Sequence, residues 1–100
     1  MSKALDDVAA ERQRQMDVEG WSPEHDDGHE RFQLASAGAA YALHVYLSSG
    51  AYPDPGMPDF WPWRKWDWRP KDARRDLVRS AALIVAEIER LDRAAAWQHE

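Results

Sequence analysis

The sequence predicts an all-α fold, a small three- to four-helix bundle with a long Trp/Pro-rich crossover loop. Three observations carry this. Leu77, Ala81, Ile84, Ile88, Leu91 and Ala95 alternate at spacings of four and three, the period of one helix face. The run Ala35-Ser36-Ala37-Gly38-Ala39-Ala40 is all small residues inside a helical pattern. Residues 50–70 hold five of the six prolines and show no helical period. One hundred residues suit one domain spanning 1–100.

Residues 3–18 read as the first helix, with Leu5, Val8, Ala9 and Met16 near one face and Gly20 as its stop. The stripe is thin, because Arg12 sits where an apolar residue is wanted. Ser22-Pro23-Glu24 is a helix-start signal: a capping serine, a proline at the first helical position and a glutamate at the positive end. Gly28 follows closely, so 23–27 reads as one turn before a helix over 29–47. There Leu34, Gly38, Tyr41, Ala42 and Val45 share a face, and Gly50 ends the helix. Glycine costs about 1 kcal/mol of helix propensity against alanine, so Gly38 needs a packing reason.

The loop over 50–70 is long for a compact domain, and such loops are functional or disordered. Its aromatic content argues against disorder. Pro70 then opens the last helix, 71–96, which carries the heptad-like stripe. Asp76/Arg79 and Glu89/Arg93 are spaced for ion pairs on its exposed side. The stripe is also suited to a homo-oligomer.

The chain has no cysteine, which excludes disulfides and thiolate metal sites and fits a reducing compartment. Its longest aliphatic run, Ala81-Ala82-Leu83-Ile84-Val85-Ala86, is far short of the ~20 residues a membrane span needs. The first residues lack the apolar stretch of a signal peptide. A net charge of −5 argues against general nucleic-acid binding. The charge is uneven. Residues 1–30 carry nine Asp/Glu against three Lys/Arg, and residues 62–79 carry seven Lys/Arg against three Asp. The two segments could pair within the fold, or leave separate faces for a cation and an anion.

Two clusters could carry chemistry. Trp61-Pro62-Trp63-Arg64-Lys65-Trp66-Asp67-Trp68-Arg69-Pro70-Lys71 holds four of the six tryptophans. Flat indole faces and planar guanidinium groups suit a planar anion. The same segment reads first as the lid of a small core. Lys71, Arg74 and Arg75 fall in the first turns of the last helix, where free N–H groups and the helix dipole favour phosphate. Those arginines could instead pair with the acidic first third of the chain.

The second cluster is Glu24-His25-Asp26-Asp27-Gly28-His29-Glu30. His25, Asp26, Asp27 and His29 form a candidate divalent-metal set, with Glu11, Asp17 or Glu19 as a further carboxylate. Capping and dipole effects explain such an acidic turn as well. No serine sits on a nucleophile turn and no glycine loop cradles phosphate. Helical nucleotide pyrophosphatases hold magnesium on E-x-x-E and E-x-x-D pairs. Glu89-x-x-Asp92 has the second spacing, but the first helix offers no pair, because Arg14 follows Glu11. The match is incomplete, and no catalytic residue is assigned.

The order of several motifs resembles a group of small phage- and prophage-encoded proteins. These are Glu11-Arg12-Gln13-Arg14-Gln15, then Glu19-Gly20-Trp21-Ser22-Pro23-Glu24-His25-Asp26-Asp27, Trp61-Pro62-Trp63, Trp68, Pro70-Lys71 and Arg74-Arg75-Asp76-Leu77-Val78. The series closes with Ala82-Leu83-Ile84-Val85-Ala86-Glu87-Ile88-Glu89-Arg90-Leu91-Asp92-Arg93. The likeness covers most of the chain outside residues 43–57. It implies a phage origin and a setting in the host cytoplasm, not a reaction. Small phage proteins often modulate host enzymes or defence, which favours binding over catalysis.

The expectation is therefore a phage accessory protein that binds a small anionic, nucleotide-like ligand and so sequesters a host defence signal. Trp61, Trp63, Trp66 and Trp68 would stack, while Arg69, Lys71, Arg74 and Arg75 would hold phosphate. One alternative is a protein–protein inhibitor of a host defence or replication factor, with exposed tryptophans as anchors. Another is a metal-dependent phosphohydrolase built on Glu24, His25, Asp26, Asp27 and His29 with Glu11.

Overall fold

A computed structural model describes residues 2–20, 32–49 and 55–98. Among these the chain is all-α: helices α1 (Lys3–Asp17), α2 (Gln33–Leu47) and α3 (Ala73–Gln98), one 3-10 turn at Lys65–Asp67, and no strand. The start signal at Ser22-Pro23-Glu24, the break at Gly28 and the stop at Gly50 lie outside the described residues. The long helix α3 packs against both of the others.

Helix α1 starts where the Ser2 hydroxyl accepts the Leu5 N–H at 3.2 Å, a side-chain cap. Just past its end, Gly20 takes a positive φ of 74°. The expected apolar stripe is not what α1 buries. Leu5 and Ala9 are exposed, and Arg12 and Gln15 are the buried residues. The reason is what α1 faces. It lies against a polar flank of α3, where Arg12 Nε donates to Glu89 Oε1 at 2.9 Å. The aliphatic stem of arginine supplies the packing there.

Helix α2 starts at Gln33, later than the expected 29. Phe32 has φ 58°, a left-handed conformation that a helix of L-residues cannot run through. Its buried face is Leu34, Ala37, Gly38, Ala40 and Tyr41. Gly38 has the packing reason it required: a Cβ there would sit 3.0 Å from Ile84 Cγ1 and 3.1 Å from the Ser80 carbonyl oxygen. The Ser80 hydroxyl donates to the Gly38 carbonyl at 2.6 Å. Phe32 lies under the Arg90 guanidinium, and Tyr41 meets Arg79. Helices α2 and α3 therefore run antiparallel, at close approach in the middle.

Helix α3 begins at Ala73, because Asp72 caps it: its Oδ1 accepts the Arg75 N–H at 2.9 Å. The orientation of α3 reverses the sequence expectation. Asp76, Arg79, Ser80, Ala82, Leu83, Ala86 and Glu87 face inward, while Leu77, Ile84, Ile88 and Leu91 are exposed. The pair Asp76/Arg79 is thus not on the exposed side. Both side chains turn inward to satisfy the backbone of the incoming loop. Asp76 Oδ1 accepts the Lys71 N–H at 2.8 Å, and Arg79 donates to the Arg69 carbonyl. Gly38 on α2 and Ser80 on α3 let the helix backbones approach at this contact.

Within the crossover loop, residues 55–70 fold over the α2–α3 hairpin as a lid. Trp61 is 7% exposed. Tyr41 stacks on Trp68 at 4.7 Å and meets Trp61 edge-on at 5.6 Å. Trp61 in turn meets Trp63 at 5.4 Å and Trp68 at 5.0 Å. The Ser36 hydroxyl donates to the Phe60 carbonyl at 2.7 Å and ties this loop to α2.

Candidate functional site

Where the lid meets the start of α3 and the end of α1, a groove of about 880 Å³ opens. Arg14 and Glu19 come from α1 and the residues after it, Tyr41 from α2, and Arg75 and Arg79 from α3. The loop supplies Trp63, Arg64, Asp67, Arg69 and Lys71. Six cations thus face two carboxylates across one cavity, a local positive field in a chain of net charge −5.

Four of the cations are already engaged. Arg14 donates through Nε and Nη2 to Glu11, at 2.7 and 2.8 Å, and through Nη2 to Glu19 at 3.0 Å. Those bonds, to Glu11 above all, raise the Arg14 pKa further against the opposing effect of burial. Burial pushes the Glu11 carboxyl up, but Arg14 and Gln15 together outweigh it and hold it below its ordinary value. Arg79 is fixed by the Tyr41 hydroxyl and the Arg69 carbonyl. Arg69 Nε donates to the Trp66 carbonyl, and Arg64 pairs with Asp67 at 3.2 Å. The Lys71 and Arg75 side chains have no such partner among the described residues; only their backbone N–H groups are used. These two cations can meet an incoming anion without first breaking a bond.

Among the residues expected to bind, Trp63, Arg69, Lys71 and Arg75 meet at the groove. The others do not join them. Trp61 and Trp68 spend their ring faces on Tyr41 and on each other. Trp66 is 64% exposed, outside the groove, and carries the Arg64 guanidinium over its ring at 5.1 Å. Arg74 pairs with Asp7 at 2.9 Å beside a neighbouring hollow of about 420 Å³. The helix N-terminus is no open anion cradle either, because Asp72 occupies the Arg75 N–H. Arg14 and Tyr41 are groove residues that sequence reasoning missed. Arg14 sits on a helix far from the loop in sequence, and Tyr41 looks like an ordinary core aromatic.

The metal candidates His25, Asp26, Asp27 and His29 lie outside the described residues. Among the described residues no three His, Cys, Asp or Glu side chains come together as a metal site. No helix among them is long and apolar enough to cross a membrane. Comparison with protein-family models, curated protein sequences and solved structures finds no match to this chain.

Proposed function

We propose that the chain binds a small anionic, nucleotide-like ligand in the groove between the Trp-rich lid and the first turns of α3. The observation that carries this is the pair Lys71 and Arg75, unpaired among the described residues and lining the same cavity as Trp63. Lys71 and Arg75 supply the mobile positive charge for phosphate. Arg69 and Arg79, already fixed by backbone and tyrosine, shape the wall, and the Trp63 indole offers an apolar surface for a base. In the phage setting that the motif resemblance implies, such a protein acts as an accessory that sequesters a nucleotide defence signal in the host cytoplasm.

The test is a thermal-shift and calorimetry series with mononucleotides, cyclic dinucleotides and ADP-ribose. A ligand at a hundred times its Kd stabilises the fold by about 2.7 kcal/mol through mass action, which is readily seen as a higher Tm. The expected pattern is a shift with one phosphorylated class, strongly reduced in Lys71→Ala and Arg75→Ala and unchanged in Arg74→Ala. The reading fails if no nucleotide at millimolar concentration moves the Tm.

A second reading, inhibition of a host defence or replication protein, draws on the exposed Trp66 and Phe60 of the same loop. Tryptophan is enriched at interface hot spots. Capture of one host protein that is lost in Trp66→Ala, with no nucleotide effect, would favour it.

A further inference from the structure

The cationic groove contains a carboxylate that phosphate binding does not need. Asp67 lines it from the lid, in the company of Lys71 and Arg75. A negative charge in that place opposes an anionic ligand by Coulomb repulsion, so its presence calls for a reason. Stability is a weak one. Asp67 pairs with Arg64 at 3.2 Å, but the Arg64 side chain is 68% exposed, and exposed pairs add little.

The structure holds Asp67 as a poised acceptor. It ends the 3-10 turn Lys65–Asp67, and its N–H donates to the Arg64 carbonyl at 2.9 Å. That carbonyl also accepts the Nε1–H of Trp61 at 3.0 Å, and Trp61 belongs to the core. The turn is thus pinned to a buried indole. Arg64 Nε fixes one carboxylate oxygen, Oδ2, whereas Oδ1 has no partner among the described residues. A carboxylate fixed on one oxygen and open on the other takes a donor at little ordering cost.

The groove narrows what that donor is. Six cations against two carboxylates repel an amine or a metal ion, so the donor is uncharged. Along the lid, Asp67 falls between Trp63, which offers the surface for a base, and Lys71, which meets phosphate. In a nucleotide the group between base and phosphate is the sugar. We infer that Asp67 Oδ1 accepts the ribose 2′-hydroxyl, so that the groove selects ribonucleotides over their 2′-deoxy counterparts; this rests on the nucleotide reading above. A carboxylate takes the same hydroxyl in dinucleotide-binding folds. A site built around a ligand hydroxyl rejects the analogue that lacks it, because the acceptor is left unpaired.

The experiment is calorimetry on the full chain. Its probes are matched ribo- and 2′-deoxyribonucleoside diphosphates, ribo and 2′-deoxy cyclic dinucleotides, and inorganic pyrophosphate. The wild type is expected to bind the ribo form about tenfold more tightly than the matched deoxy form, the effect of one hydrogen bond to a charged acceptor. In Asp67→Ala the two forms should bind alike, while pyrophosphate binds at least as tightly as before, because a negative charge has gone. Asp67→Asn keeps an acceptor oxygen and should keep part of the preference. Equal binding of ribo and deoxy forms by the wild type overturns the inference and leaves the nucleotide reading standing. A preference that survives Asp67→Ala also overturns it. So does an Asp67→Ala variant that loses the ribo form, the deoxy form and pyrophosphate to the same degree, which marks Asp67 as structural. Failure of every nucleotide to bind overturns both readings together.

Discussion

Gly38 shows how one residue sets the distance between two helices. Its missing Cβ admits the Ser80 carbonyl and Ile84 to the surface of α2, and the Ser80 hydroxyl then reaches the Gly38 carbonyl at 2.6 Å. Two effects oppose each other in Gly38→Ala. Helix propensity alone favours alanine by about 1 kcal/mol. Overpacking a close contact costs about 1–3 kcal/mol, and one of the atoms met is backbone, which cannot rotate away. The packing cost is expected to win, giving net destabilisation of about 1 kcal/mol in urea unfolding. A stabilised Gly38→Ala would show that the helices are not held at this distance.

At the scale of elements, the organising fact is that α3 buries a mixed face, in which Asp76, Arg79, Ser80 and Glu87 lie beside Ala82, Leu83 and Ala86. Asp76 is 1% exposed and accepts the Lys71 N–H, so the loop's return into the helix rests on a buried carboxylate. Asp76→Ala leaves that N–H without its acceptor, at a cost of about 1–3 kcal/mol. It should also loosen Lys71 and so weaken any groove ligand, whereas Asp72→Ala, a cap loss of about 1 kcal/mol, should affect stability alone. Equal loss of ligand affinity in both variants would break that distinction.

The elements differ in how far they could be read in advance. The helical character of residues 3–17, 33–47 and 73–98 follows from spacing and breakers; of the face expected for α2, Leu34, Gly38 and Tyr41 are buried, whereas Ala42 and Val45 are half-buried and Ala37 and Ala40 take their place. The direction of α3 does not follow from spacing. A heptad stripe records which residues share a face, not whether that face meets its own chain. Asp76 and Arg79 turn inward because of the loop backbone they satisfy, and that need arises only once residues 69–71 have folded back. The same holds for the groove. Lys71 and Arg75 stood out by sequence, but which arginines would be consumed by Glu11, Glu19, Asp67 or Asp7 depends on tertiary contacts.

At the scale of the molecule, charge couples α1 to the rest. The acidic start and the basic middle of the chain do meet, at Asp7 with Arg74. Hydrogen bonds from Lys3 and Arg74 hold the Asp7 carboxyl below its ordinary value. Glu11 is the more informative group, because it is partly buried and holds Arg14 at the wall of the groove. Its folded-state pKa lies below the ordinary 4.5. Between those two values the unfolded chain binds the proton and the folded chain does not, so stability falls as pH falls. The Glu11 contribution is therefore complete above about pH 4.5 and is lost as the pH drops through the depressed folded value. Arg14 adds no pH dependence of its own, because it stays protonated throughout. Denaturant titrations of the wild type from pH 7 to pH 3 should show a steeper loss of stability below pH 4.5 than titrations of Glu11→Gln. Parallel curves would mean that the Glu11–Arg14 pair is not formed in solution. Arg14 would then be held at the groove wall by Glu19 alone.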